Sequence, residues 1–426
     1  MASNPNTFTF KTVFSAEYQM SHFKEPVYQI LADTRLESDL VKGQTISRSY
    51  ASDVQVNDMG GDGSYSTQAI TDTAETLTIN KEKEASIYIK KLDELQAHLP
   101  LKVKYGRKLA NALINQIDGD VLLAAYQGAG TTLDDGSFAG TSGNGHVPTA
   151  SNIATVFVTA MQKLRLKNVV YNKRFQGGMK LEVPEGMPIA VISPEMLSYI
   201  ELYLGGKDTL LGDQVSRNGY SGYFMGFELF VSNALPWTAT LELPTIPTAG
   251  DTLVINGVTL TAAADGAASA AGDYSIQTTV DLAAAELVKL INGTGTAGAD
   301  SYIEVSAANR RLLKNITASY DTGTNLLTLV SSGTGTVVVS ETFTPAGNIF
   351  TVGKQIIHPL FALSKSLSLV VQKDPSMEEN FVSGKIGRDY IAWTVYGIKV
   401  FQDQAPMIVA YSVLSSSFTA SDNTPN

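Results

Sequence analysis

Thr73-Ala74-Glu75-Thr76-Leu77-Thr78-Ile79-Asn80, then Lys81-Glu82-Lys83-Glu84, then Ala85-Ser86-Ile87-Tyr88-Ile89-Lys90-Lys91-Leu92 is the stretch on which the fold reading turns. Its outer parts alternate. Ala74, Thr76 and Thr78 fall on one side, Glu75, Leu77 and Ile79 on the other, and Ile87 and Ile89 share a face. A period of two is the pleat of a half-buried strand. The charged run 81–84 reads as a solvated turn, so the expectation is a long two-stranded hairpin. Two strands alone are marginal in water, and a stripe of Leu77, Ile79, Ile87 and Ile89 is little core. The hairpin therefore needs a partner surface.

Upstream, 54–66 carries Asp58, Gly60, Gly61, Asp62 and Gly63, which favour turns over helix. The order is not that of a calcium loop, and its terminal Glu is missing. Phe8, Phe10, Val13 and Phe14 could anchor an extended arm on a neighbour or join a local core. Downstream, 104–127 holds Leu109, Leu113, Ile114, Ile117, Val121 and Leu122 at three- and four-residue spacing, one face of a long helix. Gly119 is its weak point, costing ~1 kcal/mol against alanine. A glycine-rich loop follows over 128–145. A second helix runs from a Ser151 or Asn152 cap to about Leu166. The run 187–193 reads as a buried strand, Pro194 opens a helix over 195–204, and 227–232 is a further strand.

The 426 residues include 31 Lys+Arg and 41 Asp+Glu, a net charge of −10, with 44% apolar and only 17% charged residues. Two or three domains are expected from length. So little charge makes large subunit contacts plausible, and the acidic balance argues against a dedicated nucleic-acid grip. The chain has no cysteine, which excludes disulfides, thiolate metal sites and cysteine nucleophiles. His22, His98, His146 and His358 show no metal-ligand spacing, and no cofactor is implied. The N-terminus has no secretory pattern, and no run approaches the ~20 apolar residues of a membrane span.

Between 240 and 347 the composition shifts to Thr, Gly, Ala and Val, with ten acidic residues against four basic ones. Strand-like runs at 252–255, 258–262, 302–306, 325–331 and 336–342 surround one helix over 280–291. This reads as a small α+β domain inserted after Pro236. Beyond it, 361–372, 390–402 and 407–414 read as three strands.

Chemistry-bearing motifs are few. Gly293-Thr294-Gly295-Thr296-Ala297-Gly298 matches a dinucleotide string but follows a helix instead of opening one. Gly219-Tyr220-Ser221-Gly222 lacks the closing glycine of a nucleophile elbow. Two basic groups stand out: Lys102, Lys104, Arg107 and Lys108, and then Lys163, Arg165 and Lys167 with Lys173 and Arg174 beyond. They are either solvated or inter-subunit faces, or a patch that meets nucleic acid by charge without base readout.

The order of segments resembles the major capsid proteins of tailed bacteriophages with the Hong Kong 97 type fold. The resemblance is carried by Leu31-Ala32-Asp33-Thr34-Arg35, Gly43-Gln44-Thr45-Ile46, Ile70-Thr71-Asp72-Thr73, Val191-Ile192-Ser193-Pro194-Glu195, the run from Met225 to Pro236, Phe361-Ala362-Leu363-Ser364-Lys365, Gly387-Arg388-Asp389 and Val395-Tyr396-Gly397-Ile398-Lys399-Val400. It covers most of 30–236 and 355–414. It implies an α+β chain divided into an N-terminal arm (1–51), an extended hairpin loop over a neighbouring subunit (52–92) and a peripheral domain with a spine helix (93–186). The first part of an axial domain (187–239), the insertion (240–347), and axial and peripheral strands with a C-terminal tail (348–426) complete it.

The implied function is a self-assembling icosahedral head shell around double-stranded DNA, built of pentamers and hexamers in the host bacterial cytoplasm. Leu77, Ile79, Ile87 and Ile89 would make the inter-subunit hairpin contact, and the basic groups would face packaged DNA on the inner wall. A portal and a separate scaffolding protein would be partners, with no membrane and no catalysis. The rivals are a cargo-enclosing bacterial compartment of the same fold and a glycan-binding surface protein. The latter lacks aromatic platforms, since 240–347 holds only Tyr274, Tyr302, Tyr320 and Phe343.

Overall fold

The computed structural model describes residues 26–39, 43–51, 54, 56–59, 64–65, 67–70, 72–92, 101–167, 186–206, 222–333, 337–382 and 384–414, with backbone alone for 38–39 and 101–104. The spine helix runs Leu101–Gln127 and buries Leu113, Ile117, Val121, Leu122 and Ala125, the face its spacing defines. Asp118 on that buried side accepts from the Val27 and Tyr28 N–H groups, both at 2.9 Å. These two hydrogen bonds tie the Val27–Tyr28 backbone to the spine helix, because a buried carboxylate must find donors.

The two strands expected to form one hairpin do not pair with each other. Asp72–Thr78 is antiparallel to Thr45–Ala51, with Leu77 opposite Ile46. Lys81–Lys90 is antiparallel to Gly387–Lys399, with Ile87 opposite Tyr390. The run 81–84 is thus strand and not turn. Lys81 and Lys83 share a face with Tyr396, and that face meets Asp120 of the spine helix at 3.7 and 4.0 Å. The Tyr396 hydroxyl donates to the same carboxylate at 2.7 Å. Burial, then the Asp120 charge and hydrogen bond, push the Tyr396 hydroxyl pKa up. A buried acid with donors on the facing strand explains why charged residues open a strand here.

Leu77, Ile79, Ile87 and Ile89 are therefore corrected from an inter-subunit stripe to parts of the subunit itself. Leu77 and Ile79 form a small core with Val370 and Phe401, while Ile87 and Ile89 lie on the Lys81 and Lys83 face of the sheet, toward the spine helix. The ribbon also begins at Thr45, so the boundary expected at residue 52 moves back. Of the Asp58, Asp62 and Gly63 group, Asp62 and Gly63 lie outside the described residues, as do Phe8, Phe10, Val13, Phe14, Lys173 and Arg174.

Four strands in the order Ala32–Asp33, Leu367–Phe381, Gly387–Lys399, Lys81–Lys90 make the peripheral sheet. The single strand expected over 361–372 is two. Lys365 takes a left-handed φ of 60°, which turns Leu360–Leu363 into one sheet and Leu367–Phe381 into another.

The second main sheet has six strands in the order Thr131–Leu133, Ile408–Tyr411, Leu360–Leu363, Pro188–Ile192, Phe227–Val231, Tyr223–Phe224. Both its faces are covered, so its strands read as continuous apolar runs. Ile189, Val191, Leu360, Ala362, Ile408 and Ala410 join the core that holds the spine helix. Ala190, Ile192, Phe361, Leu363, Val409 and Tyr411 join the opposite core, covered by the helices Ile153–Leu166 and Pro194–Gly205. Ser193 caps the latter through Met196 N–H. The N-cap position of Ile153–Leu166 is Asn152, as the sequence suggests, but its side chain makes no cap bond and instead accepts from Thr149 N–H and donates to His146.

The acidic segment builds a four-stranded sheet in the order Asp273–Ser275, Val258–Ala263, Thr252–Ile255, Val339–Glu341, beside the helix Val280–Asn292. Tyr302 makes an isolated bridge to Tyr274 instead of the strand expected over 302–306, and Ser306 caps an unanticipated helix, Ala307–Leu313. The segment is not walled off. Its hairpin Ile316–Asp321 and Leu326–Ser331 continues through Trp237–Glu242 to Ile356–Ile357 and Val413–Leu414 in one five-stranded sheet. A boundary at 240 cuts the middle strand of that sheet. Asn292 covers the free edge, accepting from Ala318 N–H at 2.8 Å and donating to its carbonyl at 2.9 Å, a device that blocks strand addition. A fragment 240–347 is accordingly expected to give a collapsed amide NMR spectrum, and 235–358 a dispersed one.

Candidate assembly surfaces

The ribbon of Thr45–Ala51 and Asp72–Thr78 is rooted against the peripheral sheet at Gly397, where a Cβ would lie 2.6 Å from the Thr78 carbonyl. Four further contacts strap the root. Arg48 pairs with Asp403 and its guanidinium lies 4.6 Å from the Phe401 ring centroid. Glu75 accepts from Gln402 N–H at 3.2 Å, and Lys399 Nζ donates to the Thr76 carbonyl at 2.9 Å. A cavity of about 370 Å³ beside this root is lined by Asp33, Arg35, Arg48, Lys365 and Asp403 among others. It mixes both signs of charge and is not a site built for an anion alone.

Beyond the root the ribbon turns apolar and open. Val54, Val56, Met59, Tyr65 and Ile70 are all exposed, Val56 to 98%. Grouped exposed apolar residues of this kind mark a contact surface.

The two basic groups stay apart. Arg107 and Lys108 are exposed near the start of the spine helix, while the side chains of Lys102 and Lys104 lie outside the described residues. Arg165 and Lys167 are exposed and Lys163 half-buried at the end of the helix Ile153–Leu166. Those helices belong to cores on opposite faces of the six-stranded sheet. Among the described residues the two groups therefore sit on separate elements.

A His–carboxylate pair that sequence spacing did not suggest lies in the glycine-rich loop. His146 Nδ1 and Asp135 Oδ1 are 2.9 Å apart, and Asn152 Nδ2 lies 3.2 Å from His146 Nε2. The hydrogen bond from His146 holds the Asp135 carboxyl below its ordinary range, with Thr141 N–H adding to it. Nε2 faces an amide and not a hydroxyl or thiol, so the trio has the layout of a loop clasp. Asp134 supports it, accepting from Ser137 N–H at 3.0 Å and from Gly143 N–H at 2.5 Å. Among the described residues no group of three or more His, Asp or Glu could hold a metal ion, and no helix is long and apolar enough to cross a membrane.

His358 lies between the spine helix and the strand Trp237–Glu242. It stacks on Tyr126 of the spine helix at 3.8 Å between centroids and lies 2.8 Å from Thr238 Oγ1 through Nε2. Burial pushes its pKa down from 6.5 to about 3. The folded state therefore keeps it neutral while the unfolded chain takes a proton below pH 6.5. Its contribution is fully present above that value and is lost as the pH falls toward 3. From pH 8 to pH 5 the subunit is expected to lose about 2 kcal/mol on this account. Urea unfolding of the isolated subunit at both pH values checks it, and the loss should shrink by that amount in His358→Gln.

No family model matches this chain, and no curated protein does either. Solved structures do. A chain from Mycobacterium phage Che8 aligns over 95% of this chain and 97% of its own, with a TM-score of 0.54 and 14% identity. The fold is the α+β Hong Kong 97 type. A chain of the capsid of Cyanophage P-SCSP1u covers 96% and 94% at a TM-score of 0.48 and 13% identity. One from the capsid of Ralstonia phage GP4 covers 100% of both at 0.46 and 10% identity. The Che8 likeness, near full length but low in identity, speaks to the fold alone. Within it, the spine helix and peripheral sheet belong together, since Gly387–Lys399 reaches Asp120 of the helix through Tyr396.

Proposed function

We propose that this chain is a major capsid protein that self-assembles into an icosahedral head shell around the double-stranded DNA of a tailed phage. The observation that carries this reading is the ribbon. It holds five exposed large apolar residues that one copy leaves open to water, on a fold matched along nearly its whole length by a phage-derived chain. Large obligate interfaces commonly bury roughly 2,000–5,000 Å², and a ribbon laid over a neighbour supplies such area without a catalytic centre. The role is structural, and the location is the virion.

The finer elements extend the same reading. Pentamers and hexamers are the assembly units, formed in the host bacterial cytoplasm. A portal and a separate scaffolding protein are assembly partners. Arg107 and Lys108 with Lys102 and Lys104, and separately Lys163, Arg165 and Lys167, are candidates for contact with DNA on the inner wall, by charge alone. The division into arm, ribbon, peripheral, axial and inserted regions is retained with the ribbon starting at Thr45.

Electron microscopy of the purified protein tests the reading. Closed shells with five- and six-fold capsomers are expected, and native particles should hold nuclease-protected DNA. Shells with enclosed protein and no DNA would favour the compartment alternative, and discrete small oligomers would overturn both.

A further inference from the structure

His146, outside the proposed contact surfaces, is held so that a proton can be added at a single atom. Its backbone is pinned beside Val413 on the edge of the five-stranded sheet. The N–H donates to the Ser412 carbonyl at 2.8 Å, and the carbonyl accepts from Leu414 N–H at 2.9 Å. The ring packs on Phe138 at 4.4 Å between centroids, and Nδ1 meets Asp135 at 2.9 Å. The His146 bond, with Thr141 N–H behind it, holds the Asp135 carboxyl low, so it stays ionised and can only accept. Nδ1 therefore carries a hydrogen in both charge states of the ring, and only Nε2 can gain one.

Nε2 faces Asn152 Nδ2, 3.2 Å away. Two backbone groups set the orientation of that amide. Oδ1 accepts from Thr149 N–H at 2.7 Å, and Nδ2 donates to the Val147 carbonyl at 3.1 Å. The neutral ring suits this arrangement, with Nε2 accepting from Nδ2. A proton on Nε2 sets donor against donor. The ring is fixed by the sheet, Phe138 and Asp135, so the amide must turn over or leave. Either move breaks its bonds to Thr149 and Val147. The other titratable groups around the ring are Asp134, Lys354 and Tyr411. At Asp134 burial is outweighed by donors from Gly143 and Ser137, and the carboxyl stays low. Lys354 Nζ donates to the Gly143 carbonyl at 2.6 Å, and burial pushes the Tyr411 hydroxyl up.

We infer that His146 is a proton-operated catch: protonation at Nε2 expels the Asn152 amide and frees the turn 147–152 that leads into the helix Ile153–Leu166. Asn152 is the N-cap position of that helix, and its carbonyl accepts from Val156 N–H, so the first helical turn loosens with it. Val147 lies on the same turn and is exposed to 54%. Acid thus changes the face that the subunit presents there. The catch lies within one subunit, so it stands or falls apart from the shell reading.

Hydrogen exchange of the full-length isolated subunit, read by mass spectrometry on peptides spanning 147–156, tests this at pH 8 and pH 5, between which a histidine changes charge. After correction for the intrinsic pH dependence, exchange there should speed up about tenfold at pH 5, the equivalent of one lost hydrogen bond. In His146→Gln the two pH values should agree. Asn152→Asp offers an acceptor in place of the donor, so its turn should stay protected at pH 5. Both variants keep His358, which separates the catch from a global loss of stability in acid. An acceleration of equal size in His146→Gln, or none in the wild type, would overturn the inference. So would an Asn152→Asp turn that opens as the wild type does.

Discussion

Leu77→Asp is expected to destabilise the isolated subunit by about 4 kcal/mol, before any assembly is considered. Read as a lone hairpin residue, Leu77 should tolerate a carboxylate and lose only its neighbour. The structure reverses this. Leu77 has no exposure at all and closes the small core with Ile79, Val370 and Phe401. It lies directly over Gly397, whose Cβ position is 2.9 Å from Leu77 Cδ2. Aspartate would lose the packing of the apolar side chain and bury a carboxyl among apolar groups, so it would take up a proton or open the root. Val56→Asp is the matched control. At the open tip it should leave subunit stability within about 0.5 kcal/mol and act on assembly alone. Urea midpoints of the two variants decide the matter. A Leu77→Asp subunit as stable as the wild type would return Leu77 to the intermolecular surface.

The same residues explain how far the sequence could be read. Period-two alternation located both strands of the opening stretch, because alternation reports which face is half-buried. It carries no information on which strand lies alongside. Thr45–Ala51 has its own alternation, but its pairing with Asp72–Thr78 closes a loop of about twenty residues, and the rival pairing across 81–84 is shorter and looks cheaper in loop entropy. What decides is Asp120, a buried acid nearly forty residues downstream that draws Lys81 and Lys83 onto the spine helix. Nothing local announces it.

The helices were more legible, since 3.6-residue spacing and caps such as Ser193 are local signals. The acidic segment was visible as a composition shift, while its continuity with Trp237–Glu242 was not, because that strand pairs with Leu326–Ser331 across some ninety residues. Of the candidate surfaces, the two strands of the opening stretch were located but paired wrongly, and the exposed turn after Phe381 was not anticipated. Phe381 and Ile386 flank a turn, where isolated apolar residues carry no periodic signal.

Gly119 tests the same long-range logic from the helix side. By propensity alone, Gly119→Ala in the interior of Leu101–Gln127 should stabilise by about 1 kcal/mol. It is expected instead to destabilise by about 3 kcal/mol. A Cβ there would stand 2.5 Å from Gly333 Cα and 2.8 Å from Gly333 N, and backbone cannot swing aside as a side chain can. Gly333 itself has a φ of +73°, and the preceding Ser332 N–H is tied to the Asn315 carbonyl. The loop leaving Leu326–Ser331 thus lies on the spine helix with two glycines face to face, and the acidic region is seated on the helix through that crossing. Ala112→Gly, on the exposed side of the same helix, should cost only about 1 kcal/mol and isolates the propensity effect. Denaturant unfolding of both variants, followed by far-ultraviolet circular dichroism, separates the two causes. A stabilised Gly119→Ala subunit would mean that the crossing yields easily and that the helix does not brace the acidic region.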